Sequence, residues 1–259
     1  MADGAIRLER DGTTAVVTID RAAKLNALTS AMIASLAEVA GELDRDTAIR
    51  AVILTGEGGK AFCAGADIAD WGSLDPLTFA RRWIRDGHRC FDAWARLRQP
   101  VIAMLNGVAL GGGLELATCA DIRIAEAHVR VGLPEARVGI VPGWSGTQRL
   151  VRRAGPVAVK RLALTGEPMD AAEALRVGLV DEVHPTGHGM ERAKALAATI
   201  AERAPVSVEL AKLMVNAAEG EESAAAIEAM AGAVAGFTED GREGVAAFRE
   251  KRKAAFRNR

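Results

Sequence analysis

Residues 100–148 read PVIAMLNGVALGGGLELATCADIRIAEAHVRVGLPEARVGIVPGWSGTQ. Val101–Leu105 is a short apolar run, partly β-branched and preceded by Pro100, which predicts a buried strand. Gly107 and the run Gly111, Gly112, Gly113 break the pattern, and Leu114–Ala117 resumes with helix formers. The order is therefore strand, glycine loop, helix start. A loop without Cβ atoms lets a ligand approach the backbone. A helix that begins there offers N–H groups without intrahelical partners and the positive end of its dipole. Such a corner suits negative charge developing on a carbonyl oxygen. Glu115 lies about one turn past Gly112. Glu135 follows Pro134, which fits the first position of a second short helix. The stretch thus has the pattern of a place where backbone donors and two carboxylates converge on a small electrophile. The same residues also suit a plain structural role, since a first-turn Glu favours the helix dipole and glycine runs make turns.

Outward from this stretch, Ile6–Arg10 and Thr14–Ile19 flank Asp11-Gly12, a hairpin signal. Thr29-Ser30 caps a predicted helix with Met32, Ile33, Leu36, Val39 and Leu43 on one face. Ala51–Thr55 predicts a strand ending in Gly56-Glu57-Gly58-Gly59-Lys60. A phosphate loop fails there, because Leu54 stands at its first glycine position and Ala61 replaces the magnesium-binding hydroxyl. Asp75-Pro76 opens a predicted helix to about Leu97, with Phe79, Trp83, Ile84, Phe91 and Trp94 as its buried face. Asp121–Ala125 and Val129–Val131 alternate as short strands, and Pro142-Gly143 turns into a helix through Gln148 and Leu150. Asp170 predicts a cap, Gly178 a stop and Leu179–Val183 a last strand. Beyond it, Glu191–Arg203, Pro205–Ala218, Ser223–Phe237 and Glu239–Phe248 read as helices, so composition shifts from mixed to all-helical near residues 185–190.

The 259 residues, 49% hydrophobic and 26% charged with a net charge of -1, describe an ordinary globular chain with no nucleic-acid footprint. Cys63, Cys90 and Cys119 are widely spaced and odd in number, which argues against a disulfide framework and suits a reducing compartment; a cytoplasmic location is expected. His184 and His188 are separated by Pro185 and Gly187, so no helix aligns them as metal ligands. The first residues, MADGAIRLERDG, carry no apolar leader, and no apolar run is long enough to span a membrane.

Taken together, KLNAL (24–28), AFCAGADI (61–68), NGVALGGGLELA (106–117), VGLPEARVGIVPG (131–143), GTQRL (146–150) and EGVAAFREKRKAAF (243–256) resemble the crotonase superfamily, enoyl-CoA hydratase in particular. The resemblance implies an α/β fold with a spiral core of ββα turns over residues 1–187, holding an acyl-CoA site. It also implies a C-terminal helical module over residues 188–259 that mediates assembly as a homotrimer or a hexamer of two trimers. It places an oxyanion hole at the backbone N–H groups of Ala66 and Gly112. It assigns acid/base chemistry to Glu115 and Glu135: adding water across a 2-trans-enoyl-CoA needs one carboxylate to take a proton while the other gives one. The working assignment has Glu115 activate the water and Glu135 deliver the proton to C2; the reverse split and a concerted path through one water stay open. Contacts to coenzyme A and substrate carry over to Lys24, Ala27, Ala64, Gly65, Asp67, Ile68, Phe248 and Lys251, although the lysines also suit ordinary surface positions. Coenzyme A is part of the substrate, so no separate cofactor or metal is expected.

Trp144-Ser145 departs from the small residues many hydratases carry there, so Trp144 either reshapes the acyl pocket or packs in the core. Absence of tyrosine disfavours branches with a catalytic tyrosine. Other readings are an enoyl-CoA isomerase, which the resemblance associates with a single carboxylate and the paired glutamates disfavour, or another crotonase-type lyase or hydrolase, since the scaffold hosts many chemistries. An RNA-binding homologue is disfavoured because the helix over 32–46 offers only Arg45 against Glu38, Glu42, Asp44 and Asp46.

Overall fold

In a computed structural model, residues 4–221 and 223–259 are described. The first three residues, part of the N-terminus read above as leader-free, and Glu222 lie outside them. The strands are β1 (Ala5–Asp11), β2 (Thr14–Asp20), β3 (Ala51–Gly56), β4 (Ala61–Cys63), β5 (Val101–Leu105), β6 (Val108–Leu110), β7 (Ile122–Glu126), β8 (Arg130–Gly132), β9 (Met169–Asp170) and β10 (Glu182–His184). Among the described residues they form two sheets, ordered β1-β2-β3-β5-β7-β10 and β4-β6-β8-β9. The hairpin β1–β2 and the pair β8–β9 are antiparallel; the other pairings are parallel.

β3 and β5 are buried at every position. The reason is that both faces of the larger sheet are covered. Val52, Leu54, Val101, Ala103 and Leu105 face the main core, while Ala51, Ile53, Ile102 and Met104 face a second cluster with Ala193 and Ala197.

The helices are α1 (Ser30–Arg45), α2 (Ile68–Trp71), α3 (Pro76–Thr78), α4 (Arg85–Ala95), α5 (Gly112–Ala117), α6 (Gly146–Thr165), α7 (Ala171–Arg176), α8 (Gly189–Ala201), α9 (Pro205–Ala218), α10 (Ser223–Phe237) and α11 (Glu239–Glu250). Thr29 caps α1 by accepting from Met32 N. Trp94 of α4 is fully buried and donates to the Leu36 carbonyl at 3.1 Å, locking α4 onto α1. Truncating Leu36 to Ala would cost about 2–5 kcal/mol.

Two expectations are corrected. The helix expected from Asp75 to Leu97 is not uniform: Phe79–Ile84 winds as a π-helix between α3 and α4. The last strand starts at Glu182 instead of Leu179, because Leu179 and Val180 turn back, both N–H groups reaching the Ala174 carbonyl, and bury in the core. By contact the described residues divide into two compact units at 209/210. Helix α8 lies in the first unit, where its Ala193 and Ala197 fill the far face of the larger sheet. The second unit, residues 210–259, is helical and exposes Met214, Val215, Ile227, Val234, Phe237 and Phe248. Cys63, Cys90 and Cys119 are buried and form no disulfide among the described residues. No helix among the described residues is long and apolar enough to cross a membrane.

Candidate active site

β5 and β6 deliver the chain to Gly111, whose φ of 53° and ψ of −125° are accessible to glycine. Gly111 N donates to the Gly132 carbonyl at 2.9 Å, which pins the loop on β8, and α5 begins at Gly112. Gly112 N therefore sits among the helix donors that have no intrahelical partner. The second donor comes from the 61–68 segment. Ala66 bridges Leu28 in parallel; Leu28 N bonds the Gly65 carbonyl and Asp67 N bonds the Leu28 carbonyl, each at 2.8 Å. That pairing turns the N–H of Ala66 to the opposite side. A methyl group at Gly112 would stand 3.7 Å from Ala66 N, so the two donors are neighbours.

Two buried asparagines, which the sequence reading left without a role, hold this corner together. Asn26 accepts from Arg21 N at 2.9 Å and donates to the Ala61 carbonyl at 2.7 Å. Asn106 donates to the Gly56 carbonyl at 2.7 Å. Their only signal in the sequence is a polar residue set inside an otherwise apolar motif.

Glu115, 2% exposed, projects from α5 into a cavity of about 250 Å³ that Glu135 also lines. Glu115 Oε1 accepts from Trp144 N at 2.9 Å and Gly146 N at 3.0 Å. The approach is close enough that a Cβ at Gly146 would lie 2.1 Å from Glu115 Cγ. Burial raises the Glu115 carboxyl above its ordinary range, and the amides of Trp144, Gly146 and Gly143 oppose that rise.

Glu135 opens a short 3-10 turn, Glu135–Val138, and Pro134 stands one place earlier than expected, as its cap. Its Oε2 is buried and has no hydrogen-bond partner. Burial pushes its carboxyl from 4.5 to about 7; its own backbone N–H opposes this and the charge of Glu115 adds to it. The two carboxyls thus share one cavity in different states of support.

The loop that serves Glu115 is itself braced. Ser145 sits at a φ of 67°, strained for a residue with a Cβ. Its Oγ donates to Asp92 Oδ1 at 3.0 Å, and Arg149 bonds the same oxygen at 2.8 Å. Asp92 on α4 and Arg149 on α6 were not among the sequence candidates.

Ala64, Gly65, Ala66, Ile68, Gly112 and Trp144 line the cavity with the two glutamates. Lys24, Ala27 and Asp67 are not among its lining residues. Lys24 is exposed in the 3-10 turn Ala22–Lys24, and the Ala27 carbonyl accepts from Arg21. Asp67 pairs with buried Arg21 at 2.6 Å and caps α2. Phe248 and Lys251 belong to the second unit, where Phe248 is exposed and Lys251 ends α11. The cavity also draws on Trp71, Phe79, Trp83 and Ile84, of which the last three were expected only as a buried helix face.

The enoyl-CoA hydratase/isomerase family model matches residues 9–259. The chain is 43% identical to a short-chain-enoyl-CoA hydratase of Clostridium acetobutylicum, covering 97% of each sequence. It is 39% identical to a crotonyl-CoA hydratase of Syntrophomonas wolfei, covering 99% of each. Among solved structures, an enoyl-CoA hydratase from Bacillus anthracis superposes with a TM-score of 0.81 at 34% identity, over 98% of this chain and 99% of that one. DspI of Pseudomonas aeruginosa superposes with a TM-score of 0.82 at 37% identity, over 97% and 96%. The architecture of the first unit and these full-length matches agree: this chain belongs to the enoyl-CoA hydratase/isomerase family.

Proposed function

We propose that the protein is an enoyl-CoA hydratase, adding water syn across a 2-trans-enoyl-CoA to give the 3-hydroxyacyl-CoA. The observation that carries this reading is the pairing, on one cavity, of an amide-anchored Glu115 with a Glu135 whose buried Oε2 lacks a partner. Ala66 N and Gly112 N hold the thioester oxygen and stabilise the enolate that forms as oxygen adds at C3. Glu115, fixed on one oxygen by two amides, keeps the other for a water and takes its proton. Glu135 holds a proton near neutral pH and delivers it to C2. The water oxygen bonds to C3, one of its protons goes to Glu115, and C2 receives the proton of Glu135. Proton exchange between the carboxyls and solvent resets the pair. Coenzyme A arrives with the substrate.

Ala64, Gly65 and Ile68 are proposed to contact the thioester arm, and Lys24, Ala27, Asp67, Phe248 and Lys251 the rest of coenzyme A. Assembly as a trimer or a pair of trimers through the C-terminal helices is supported by their exposed apolar residues, and sedimentation would test it.

Mixing the protein with crotonyl-CoA should remove the conjugated-thioester absorbance, and Glu115→Gln should slow that loss by about 10²-fold or more. Loss at equal rates in both proteins would overturn the roles given to the carboxylates. No loss, with coenzyme A still bound, would move the chemistry to another acyl-CoA reaction.

A further inference from the structure

Trp144 is 3% exposed and lines the cavity beside Glu115. Its indole is seated between two glycines. A Cβ at Gly112 would lie 2.7 Å from Trp144 Cζ3, and one at Gly87 only 2.2 Å from Trp144 Nε1. Gly87 lies inside α4, where glycine is unfavourable and needs a packing reason. Here the reason is the indole. Trp83 packs on the ring at 5.1 Å between centroids and Phe91 at 5.2 Å, edge-on. Trp83 and Ile84 reach this wall from the π-helix Phe79–Ile84, and such distortions recur at functional sites. The benzo edge of the indole therefore stands one atomic layer from Gly112.

We propose that Trp144, held by Gly87 and Gly112, is the wall that sets the length of acyl chain the site admits. The proposal rests on the thioester sitting at Ala66 and Gly112. From there C2 and C3 lie by the glutamates, and the chain beyond C3 meets the indole. The ligand class is thus a short, uncharged 2-enoyl thioester. A fixed aromatic wall, unlike flexible aliphatic chains, cannot retreat for extra methylenes.

The test is binding of saturated acyl-CoAs, butyryl through decanoyl, by calorimetry, which requires no chemistry. The wild-type protein should bind butyryl-CoA better than decanoyl-CoA. Trp144→Ala should raise the decanoyl-to-butyryl affinity ratio by about tenfold or more, the scale on which pockets discriminate methylenes. Trp144→Leu serves if the alanine variant does not fold. Gly87→Ala should alter the ratio when Trp144 is present and leave it unchanged in the Trp144→Leu background. A ratio that does not move in a folded Trp144 variant, or a wild-type protein indifferent to length, would overturn the proposal. A shifted ratio in a protein that hydrates no enoyl-CoA would sink the hydratase reading and leave this one standing.

Discussion

The corner that holds Glu115 and the corner that holds Glu135 differ in one respect that matters. Glu115 is gripped: two amides close on one oxygen, and the loop supplying them is tied through Ser145 to Asp92 and Arg149. Glu135 is confined without being gripped. Its Oε2 is buried with no partner, and a Cβ at Gly111 would stand 2.8 Å from its Oε1. Amides favour an ionised carboxylate, whereas burial without partners favours the acid. Burial raises both carboxyls, and the amides of Trp144, Gly146 and Gly143 oppose the rise at Glu115 where only its own N–H does at Glu135; on the proposed mechanism that difference suits them to opposite roles.

The contrast breaks most severely when either carboxyl is removed. Glu115→Gln and Glu135→Gln should each reduce kcat on crotonyl-CoA by about 10²–10⁴-fold. Their pH profiles should differ. In the wild-type protein kcat/KM should fall as pH rises through about 7, where Glu135 loses its proton. Residual activity in Glu135→Gln should lack that limb. A limb that survives this substitution would assign the acid elsewhere.

Gly112→Val acts on the N–H proposed to hold the thioester oxygen. Its side chain meets the Trp144 indole and displaces the N–H, so kcat should fall about 10²–10³-fold, the scale for one lost oxyanion donor. Circular dichroism would confirm that the helix start is retained.

Loosening only the grip on Glu115 should cost less. Asp92→Asn or Ser145→Ala weakens the brace on residues 144–146 and should lower kcat roughly threefold to tenfold, the worth of one or two hydrogen bonds. KM should change little if the brace acts only on the carboxylate, and a loss confined to KM would assign the brace to substrate binding.

The smallest effect is on stability. Glu135 has a folded-state pKa raised from 4.5 to about 7, so across that window the folded chain keeps a proton the unfolded chain has lost. Stability therefore declines as pH rises from about 4.5 to about 7 on account of this group. Glu135→Gln removes the buried charge, so the Tm difference in its favour should grow with pH, by about 2–4 °C per kcal/mol relieved. Melting curves at pH 5 and pH 8 would show it, and equal differences at both would contradict the burial argument.

Much of the local structure was legible because it is encoded locally. The hairpin at Asp11-Gly12, the Thr29 cap, the Asp170 cap and the helices Pro205–Ala218 and Ser223–Phe237 depend on turn residues, caps and spacing. The π-helix at Phe79–Ile84 escaped because its residues are ordinary helix formers, and only packing around Trp144 and the cavity distinguishes them. The four-stranded sheet escaped in part because β4, β6, β8 and β9 have two or three residues each, too few to show a period.

By itself, the sequence determined a buried strand, the glycine loop it enters and the helix start that follows. Those depend on neighbours within a turn or two of chain. Only the tertiary structure decided that Ala66 meets Gly112, that residues 144 and 146 grip Glu115, that Glu135 keeps an unpartnered oxygen, and that the Trp144 indole packs against Gly87. These contacts join segments far apart in the chain. Their consequences, proton affinity and pocket shape, come from burial and close packing, which no residue carries alone.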